Sequence, residues 1–215
     1  MSNQIVEKYR KSVRVMHWVH TTAFVLLFLT GLVLFIPGLS GIAQGSITRI
    51  IHRIAAIVFI VAPIIYTIMD PAAVGRGLKQ AFTWTSEDMG WLKAAPRYYF
   101  IIGDEKDMPP QEAMNTGQKM WWFMVLVFGV IFVITGAIMW FAKTSAPPAA
   151  LQWMVFIHDV CFIATGCMFF VHIYTGVFHP LMTEAWNSMT GGKISVEYAK
   201  KHHGKWYAEI SKGKE

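Results

Sequence analysis

Four long apolar runs divide the chain, and polar segments separate them. Each run reaches the length of about 20 residues that an α-helix needs to cross the hydrocarbon core of a bilayer. The pattern predicts an all-α fold, a bundle of four transmembrane helices that forms a single membrane domain over residues 1–215. The predicted spans are Val15–Ile36, Ile50–Met69, Met120–Phe141 and Leu151–Phe178.

The composition agrees with a membrane protein, since 54% of the residues are apolar and only 15% are charged. The net charge of +6 does not indicate nucleic-acid binding, because the basic residues are spread between the apolar runs instead of forming one face. The first run is longer than the apolar part of a signal peptide and no small-residue cleavage site follows it, so we expect it to be retained. Both cysteines, Cys161 and Cys167, lie in an apolar run and are predicted to be buried packing residues.

The distribution of Lys and Arg predicts the orientation, because these residues concentrate in loops that remain cytoplasmic. Sixteen of the 19 lie before the first span, in the 71–119 connection or after the fourth span. The other three are Arg49, Arg53 and Lys143. Both termini are therefore predicted to be cytoplasmic.

The two longest polar segments differ in their predicted structure. The 71–119 connection is expected to form a cytoplasmic cap, in which Ser86-Glu87-Asp88 opens a short helix by placing acidic residues near its N-terminus. The cytoplasmic tail, residues 179–215, mixes basic residues with Trp206 and Tyr207. This composition suits the headgroup region of a bilayer, so a solvated or interfacial tail is predicted.

Histidines inside the apolar spans are the strongest candidates for chemistry, because a polar side chain is costly there unless it has a partner. They are His17 or His20 in the first span, His52 in the second, and His158 and His172 in the fourth. Fourteen residues separate His158 from His172, which returns to nearly the same helix face about 21 Å further along. One helix thus presents two ligands at two depths.

The orientation pairs these histidines by depth. His17 and His172 both lie near the cytoplasmic side, while His52 and His158 both lie near the outer side. Each pair can ligate a haem iron from both faces, which leaves no open position for oxygen and favours electron transfer. The chain has no Cys-x-x-Cys-His motif, so the two predicted haems are non-covalent and of the b type.

Simpler interpretations exist for several of these residues. A lone buried histidine often only hydrogen-bonds a helix carbonyl, and four histidines that match by depth make this less favoured. His20 is the rival ligand in the first span, one turn from His17. His179 at the cytoplasmic exit is expected at the surface, with proton handling as the alternative. His202 and His203 are interpreted as part of the tail.

Small and basic residues near the two levels are weaker candidates for the haem surroundings. Gly31 follows His17 by fourteen residues, so it lies on the same face one level deeper, where it would let the outer porphyrin pass. Gly129, Gly136 and Gly166 serve helix packing equally well. Arg14 and Arg53 are candidates to pair with haem propionates, although topology or lipid headgroups also explain them.

Several motifs resemble those of the cytochrome b (gamma) subunits of membrane-bound formate dehydrogenases, over nearly the whole chain. Related subunits occur in nickel–iron hydrogenases and thiosulfate reductases. The matching pieces are Arg14-Val-Met-His17-Trp18, Arg49-Ile-Ile-His52, Asn115-Thr-Gly117-Gln118-Lys119-Met120, the pair His158 and His172, and the tail Ala199-Lys-Lys-His-His-Gly-Lys-Trp206-Tyr207. The Gly-Gln-Lys-Met run and this tail favour the formate dehydrogenase branch.

The resemblance implies a set of cofactor sites. It implies an outer haem held by His52 and His158, and an inner haem held by His17 and His172, which favours His17 over His20. It also implies a menaquinone site beside the inner haem, lined by Asn115 and Gly117 with Gln118 nearby. From the residues alone, Asn115-Thr-Gly is equally a turn and cap that begins a helix.

The resemblance also implies the partners. A catalytic subunit with a molybdenum or tungsten bis-pterin and an iron–sulfur subunit would lie outside a bacterial inner membrane, and electrons would cross this chain to the quinone pool. The equivalent subunit of a hydrogenase or thiosulfate reductase is the alternative. A transporter or simple membrane anchor is less favoured, because Asp159 is the one carboxylate well inside a span and no acidic chain suggests an ion path.

Overall fold

A computed structural model describes residues 4–44, 46–101 and 108–212. Lys106 and Lys214, two of the basic residues used to predict the orientation, lie outside the described residues. Ten α-helices and two short strands occur in the described part. They are β1 (Ile5–Glu7), α1 (Lys11–Phe35), α2 (Ser40–Gln44), α3 (Ser46–Met69), α4 (Pro71–Phe82), α5 (Ser86–Phe100), α6 (Thr116–Phe141), α7 (Pro148–Ile173), α8 (Thr183–Thr190), β2 (Lys193–Ser195), α9 (Val196–His202) and α10 (Gly204–Lys212). Single turns of 3₁₀-helix cover Pro37–Leu39 and Pro180–Met182, and a π-helical turn, Tyr174–Phe178, follows α7.

The four predicted spans are confirmed as helices long and apolar enough to cross a membrane. They are α1, α3 from Ile47, α6, and α7 together with its π-helical turn. Each helix begins three or four residues before the predicted span. The reason is that the first turn of a helix leaves its N–H groups free for polar side chains, so polar residues extend a helix beyond its apolar run.

The chain divides into two compact units. The first unit takes the described residues within Met1–Arg14, Gly75–Phe123 and Phe170–Glu215, and the second takes those within Val15–Val74 and Met124–Phe169. Each unit is described separately.

Aromatic and glycine contacts hold the helices of the second unit together. Phe28 of α1 lies against α7, with its ring centre 5.4 Å from that of Phe162. A Cβ added at Gly166 would lie 3.0 Å from the Phe28 ring, so the missing side chain permits this close approach. Phe59 of α3 packs against Phe24 of α1, with ring centres 6.3 Å apart. Only a small part of the α1, α3 and α6 spans is buried within the chain, and the outward apolar side chains suit contact with lipid.

In the first unit, the N-terminal and C-terminal segments pair with each other. Strands β1 and β2 form an antiparallel pair in which Val6 is opposite Ile194. Gly192, which precedes β2, has a positive φ of 83°. Its carbonyl accepts hydrogen bonds from the backbone N–H groups of Lys8 and Tyr9, and a Cβ at this position would lie 2.7 Å from the Tyr9 carbonyl oxygen. Only glycine allows both the turn and this approach.

The tail is folded instead of solvated, and its position at the membrane interface stays a prediction. Helices α9 and α10 are folded, and Tyr198 and Ala199 belong to a buried cluster with Trp91 and Tyr98 of α5. His203 is 4% exposed and its Nδ1 lies 2.9 Å from the Glu112 carbonyl oxygen. The composition of the tail is typical of a membrane interface, but α9 buries its aromatic face against α5. The segment is too short for its periodicity to reveal this packing.

The 71–119 connection contains the predicted helix at Ser86. Thr85 and Asp88 cap this helix reciprocally, because Asp88 accepts a hydrogen bond from the Thr85 backbone N–H at 2.8 Å. Helix α4 was not predicted. Asp88 also ties α5 to the first turn of α6. Its buried carboxylate accepts hydrogen bonds from Thr116 Oγ1 at 2.8 Å and Lys119 Nζ at 2.9 Å.

The two cysteines differ in environment. Cys161 is buried as predicted, but Cys167 is exposed, so the prediction for Cys167 is wrong. Six residues separate them on α7, which turns Cys167 by roughly 240° from Cys161 and onto the opposite part of the helix surface.

Candidate functional site

His52 and His158 face each other in the second unit, from α3 and α7. Their ring centres are 6.4 Å apart and the ring planes are inclined by 52°. Two imidazoles that bind one metal ion from opposite sides have ring centres roughly 6 Å apart, because each metal–nitrogen bond is about 2 Å long. The observed spacing therefore fits a shared metal ion.

Two threonines orient these histidines. Thr30 Oγ1 of α1 lies 2.8 Å from His52 Nδ1, and Thr135 Oγ1 of α6 lies 2.8 Å from His158 Nδ1. Each hydroxyl also donates its single proton to its own helix, to the Leu26 carbonyl at 2.6 Å and to the Ile131 carbonyl at 2.7 Å. A hydroxyl that has given its proton can only accept, so Nδ1 of each histidine must donate. Nε2 of each ring is thereby left with a lone pair for a metal.

The donor set fits the iron of a haem. No group of three or more His, Cys, Asp or Glu side chains able to hold a metal occurs among the described residues. Two histidines alone do not complete the coordination of an ion, whereas a porphyrin supplies the in-plane nitrogens and leaves the two axial positions to the protein. A metal held wholly by side chains would need more ligands than this pair provides.

Three of the weaker candidates lie on the helices around this pair. Gly136 of α6 lies beside His158, and a Cβ there would be 3.7 Å from Cε1 of the ring. Arg53 lies with its guanidinium carbon 4.9 Å from the centre of the Trp140 ring, a cation–π contact between α3 and α6. At Gly31 an added Cβ would lie 3.1 Å from the Phe162 ring. Gly31 thus adjoins α7 as well as being one residue from Thr30.

The two histidines of the first span have different neighbours. The His17 ring lies edge-on to Trp18, with centres 5.2 Å apart, and its buried Nδ1 makes no hydrogen bond to any described residue. The His20 ring stacks on Phe59 of α3 at 3.9 Å. Burying an imidazole nitrogen without a hydrogen bond is costly, which favours His17 over His20 as the residue of the first span that binds a further group.

His172 belongs to the first unit, while His17 belongs to the second. The His172 ring is stacked on Trp121 of α6, with ring centres 5.1 Å apart and planes inclined by 10°. The pairing of His17 with His172 stays a prediction.

The residues of the predicted quinone site begin helix α6. Asn115 Oδ1 accepts from the Gln118 backbone N–H at 2.9 Å, and Gln118 Oε1 accepts from the Asn115 backbone N–H at 3.0 Å. This reciprocal pair is a capping box, so the interpretation of Asn115 as a helix cap is confirmed. Gly117 lies against Trp91, where a Cβ would be 3.0 Å from the indole ring.

The sequence interpretation of His179 is wrong, whereas the role of Arg14 beside a haem stays a prediction. His179 was expected at the surface, but it is 1% exposed, because Tyr98, Tyr99 and Tyr174 surround it. Arg14 donates a hydrogen bond to the Thr190 carbonyl and lies against Gly192, so the turn before β2 engages its side chain.

The roles of Thr30, Thr135 and Tyr98 were missed, as were the contacts of Asp88 with Thr116 and Lys119. A threonine in a membrane helix commonly bonds the carbonyl four residues earlier, so the sequence contains no signal that its oxygen also accepts from a histidine. Tyr98 and Asp88 depend on contacts with residues far away in the sequence.

Comparison with known proteins gives a consistent result. The family model described as prokaryotic cytochrome b561 matches residues 8–192. The cytochrome b556(fdo) subunit of formate dehydrogenase from Escherichia coli is 23% identical over 96% of this chain and 94% of that protein. The nitrate-inducible cytochrome b556(Fdn) subunit from the same species is 26% identical over 93% and 88% of the two chains. The formate dehydrogenase cytochrome b556 subunit of Haemophilus influenzae is 24% identical over 94% and 82%.

Proposed function

The chain belongs to the prokaryotic cytochrome b561 family and is a multi-pass membrane cytochrome that holds haem b, and from that premise we propose that it is the membrane subunit of a formate dehydrogenase. In this proposal it anchors the complex in the bacterial inner membrane and passes electrons from an iron–sulfur subunit to menaquinone. The formate dehydrogenase subunits of Escherichia coli and Haemophilus influenzae match nearly the whole chain, which supports this choice.

The main support for this proposal is that the rings of His52 and His158 face each other. Their spacing of 6.4 Å and the two threonine bonds suit bis-histidine ligation of one haem. When bound, haem b supplies one-electron transfer. We propose His17 and His172 as the axial ligands of a second haem nearer the cytoplasm, with Arg14, Arg53 and Gly31 in the surroundings of the two haems.

The orientation is also part of the proposal. Pairing of β1 with β2 brings the N-terminal segment and the tail together within one unit, which supports placing both termini on the same side of the membrane. The excess of Lys and Arg in these segments favours the cytoplasm. The catalytic subunit, with molybdenum or tungsten, and the iron–sulfur subunit would then lie on the opposite side.

We propose that menaquinone binds at Asn115, Gly117 and Gln118. Both amide oxygens accept backbone N–H groups in the capping box, so the amide NH₂ of Asn115 is the group suited to donate to a quinone carbonyl. Gly117 contributes by its small size, since a larger residue would displace Trp91.

The decisive experiment is purification of the complex through a tag on this chain. We expect an iron–sulfur subunit and a molybdenum or tungsten subunit to co-purify, and formate to reduce both haems and a menaquinone analogue. Reduction by hydrogen or by a sulfur compound in place of formate would move the chain to the hydrogenase or thiosulfate reductase branch. Absence of b-type bands after dithionite reduction would contradict the cytochrome function itself.

The quinone site needs a variant that separates binding from capping. Asn115→Ala removes both the amide and the cap, whereas Asn115→Ser keeps an oxygen that can cap α6. We expect both variants to weaken inhibition by a quinone analogue by about tenfold, since a lost hydrogen bond to a ligand costs about 1.4 kcal/mol or more. Normal inhibition in Asn115→Ser would show that Asn115 is only a cap.

A further inference from the structure

Besides Nε of Arg14, two buried polar groups in the first unit have no hydrogen-bond partner among the described residues. They are the hydroxyl of Tyr98, whose side chain is fully buried, and Nε2 of His179, whose exposure is 1%. Leaving such groups unpaired costs about 1–3 kcal/mol each. Buried polar groups of this kind usually bind ordered water.

The tautomer of His179 follows from its other nitrogen. Nδ1 accepts a hydrogen bond from the Leu181 backbone N–H at 3.3 Å, at the start of the 3₁₀ turn. A neutral imidazole that accepts at Nδ1 carries its proton at Nε2. His179 therefore has a buried N–H donor beside the Tyr98 ring, whose centre lies 5.8 Å away.

A small cavity adjoins the same cluster. Its volume is about 20 Å³, and its walls include Tyr98, His202, Asn115 and Lys201. A cavity must offer roughly 10–15 Å³ to hold one water molecule, so this one accepts water but is far too small for a quinone ring. Lys201 is exposed while Asn115 is 8% exposed, so the cavity adjoins both a solvent-exposed residue and the proposed quinone site.

Aromatic rings surround His179 and His202, and burial among them favours the uncharged form of His202. Tyr99 and Tyr174 also contact the His179 ring, and Tyr198 lies against His202 with ring centres 4.2 Å apart. Burial, reinforced by Lys201 and His179, lowers the pKa of His202 to about 4. Near pH 7 His202 is therefore uncharged and can take part in a hydrogen-bonded path for protons.

We propose that Tyr98, His179 and His202, with water in the adjoining cavity, form the route by which protons from the aqueous phase reach the quinone at Asn115. The inference rests on the proposed quinone-reducing function. Reduction of a quinone to a quinol consumes two electrons, which come from formate through haem b, and two protons, which this route takes from bulk water. The proton-carrying groups are regenerated after each transfer, so electrons, protons and atoms balance.

Three variants of the purified complex test the route. Tyr98→Phe removes the unpaired hydroxyl and keeps the ring. His179→Asn keeps a side-chain acceptor for the Leu181 N–H, because Asn is a favoured cap, but removes the distal N–H. Tyr198→Phe is the matched control, since its hydroxyl already contacts Met182 Sδ at 3.5 Å in the same cluster.

The measurement is stopped-flow haem absorbance in H₂O and D₂O. We expect haem reduction by formate to be unchanged in all three variants. Haem reoxidation by a saturating menaquinone analogue should slow by about tenfold or more in Tyr98→Phe and His179→Asn, since a lost proton donor commonly costs that much. The solvent isotope effect should rise in these two variants and stay at the wild-type value in Tyr198→Phe.

Several results would overturn the route. Wild-type reoxidation in Tyr98→Phe and His179→Asn would exclude it, and an equal slowing in Tyr198→Phe would show a packing effect. A weaker affinity for the analogue with an unchanged rate at saturation would make these residues part of the binding site. If the wild-type complex itself fails to reduce the analogue, the proposed function fails first, which distinguishes the two failures.

Discussion

His52 and His158 lie with their ring centres 6.4 Å apart, and a threonine from another helix holds Nδ1 of each ring. This relationship joins all four membrane helices at one point, because the histidines belong to α3 and α7 and the threonines to α1 and α6. The two proposed haem ligands are therefore positioned by all four membrane helices.

Loss of His158 should remove one haem only. We expect His158→Ala to lose about half of the haem b per chain, because one of the two proposed sites loses an axial ligand. Pyridine haemochrome quantitation and reduced-minus-oxidised spectra measure this loss. Full haem content in His158→Ala would contradict the assignment, and His52→Ala should give the same spectrum as His158→Ala.

The threonine bond to His52 should strengthen haem binding. We expect Thr30→Val to weaken haem retention by about tenfold or more, since groups that orient a metal-bound histidine commonly contribute that much. Thr30→Ser should retain the haem. The control is Thr22→Val on the same helix, because Thr22 bonds the Trp18 carbonyl of its own helix at 2.9 Å. An equal loss in Thr22→Val would assign the effect to helix stability.

The inner haem should depend on His17 and His172. We expect either alanine variant to lose the haem that remains in His158→Ala and to abolish quinone reduction. His20→Ala should retain both haems, since His20 stacks on Phe59. Loss of haem in His20→Ala while His17→Ala keeps it would reverse the choice of ligand in the first span.

The buried Asp88–Lys119 pair should stabilise the start of α6. Burial raises the pKa of Asp88, but bonds from Lys119, Thr116 and Thr85 outweigh it and hold the pKa below its usual value. We expect Lys119→Met to destabilise the protein by about 3–5 kcal/mol, because it leaves a buried carboxylate without its cation.

Thermal unfolding of the purified complex measures the Lys119 effect. The control is Lys205→Met, because the Lys205–Glu87 pair is partly exposed and should contribute less than about 1 kcal/mol. Equal melting temperatures for Lys119→Met and wild type would show that the pair adds nothing to stability.

Two histidines of the tail should make the protein less stable in mild acid. Burial, with nearby positive charges, lowers the pKa of His202 to about 4 and the pKa of His203 well below 6.5. Between pH 6.5 and 4 the unfolded chain then binds protons that the folded chain does not, so stability falls as pH falls through this window.

Melting temperature as a function of pH tests this dependence. The variant His202→Gln, His203→Gln should lose less stability than wild type between pH 7 and 5, by a few degrees in melting temperature, because about 1 kcal/mol shifts it by roughly 2–4 °C. Parallel curves for variant and wild type would exclude these residues as the cause.

Much of the site could be predicted, and what was missed shares one cause. The positions of His52 and His158 follow from spans and orientation, because depth in a bilayer is set by distance along a helix. The capping role of Asn115 follows from residues three apart. The burial of His179 did not follow, because Tyr98 and Tyr99 come from a distant segment, the connection between the second and third spans.

The sequence by itself determined the four spans, the positions of the histidines along them and the excess of positive charge in the terminal segments and the long connection. These depend on periodicity and composition, which act locally and against a bilayer of fixed thickness. Only the tertiary structure decided that Thr30 and Thr135 engage Nδ1 of His52 and His158 and leave Nε2 of each ring with a lone pair. It alone decided that the tail folds against α5 and encloses Tyr98 and His179, because these contacts join residues whose separation along the chain has no local signal.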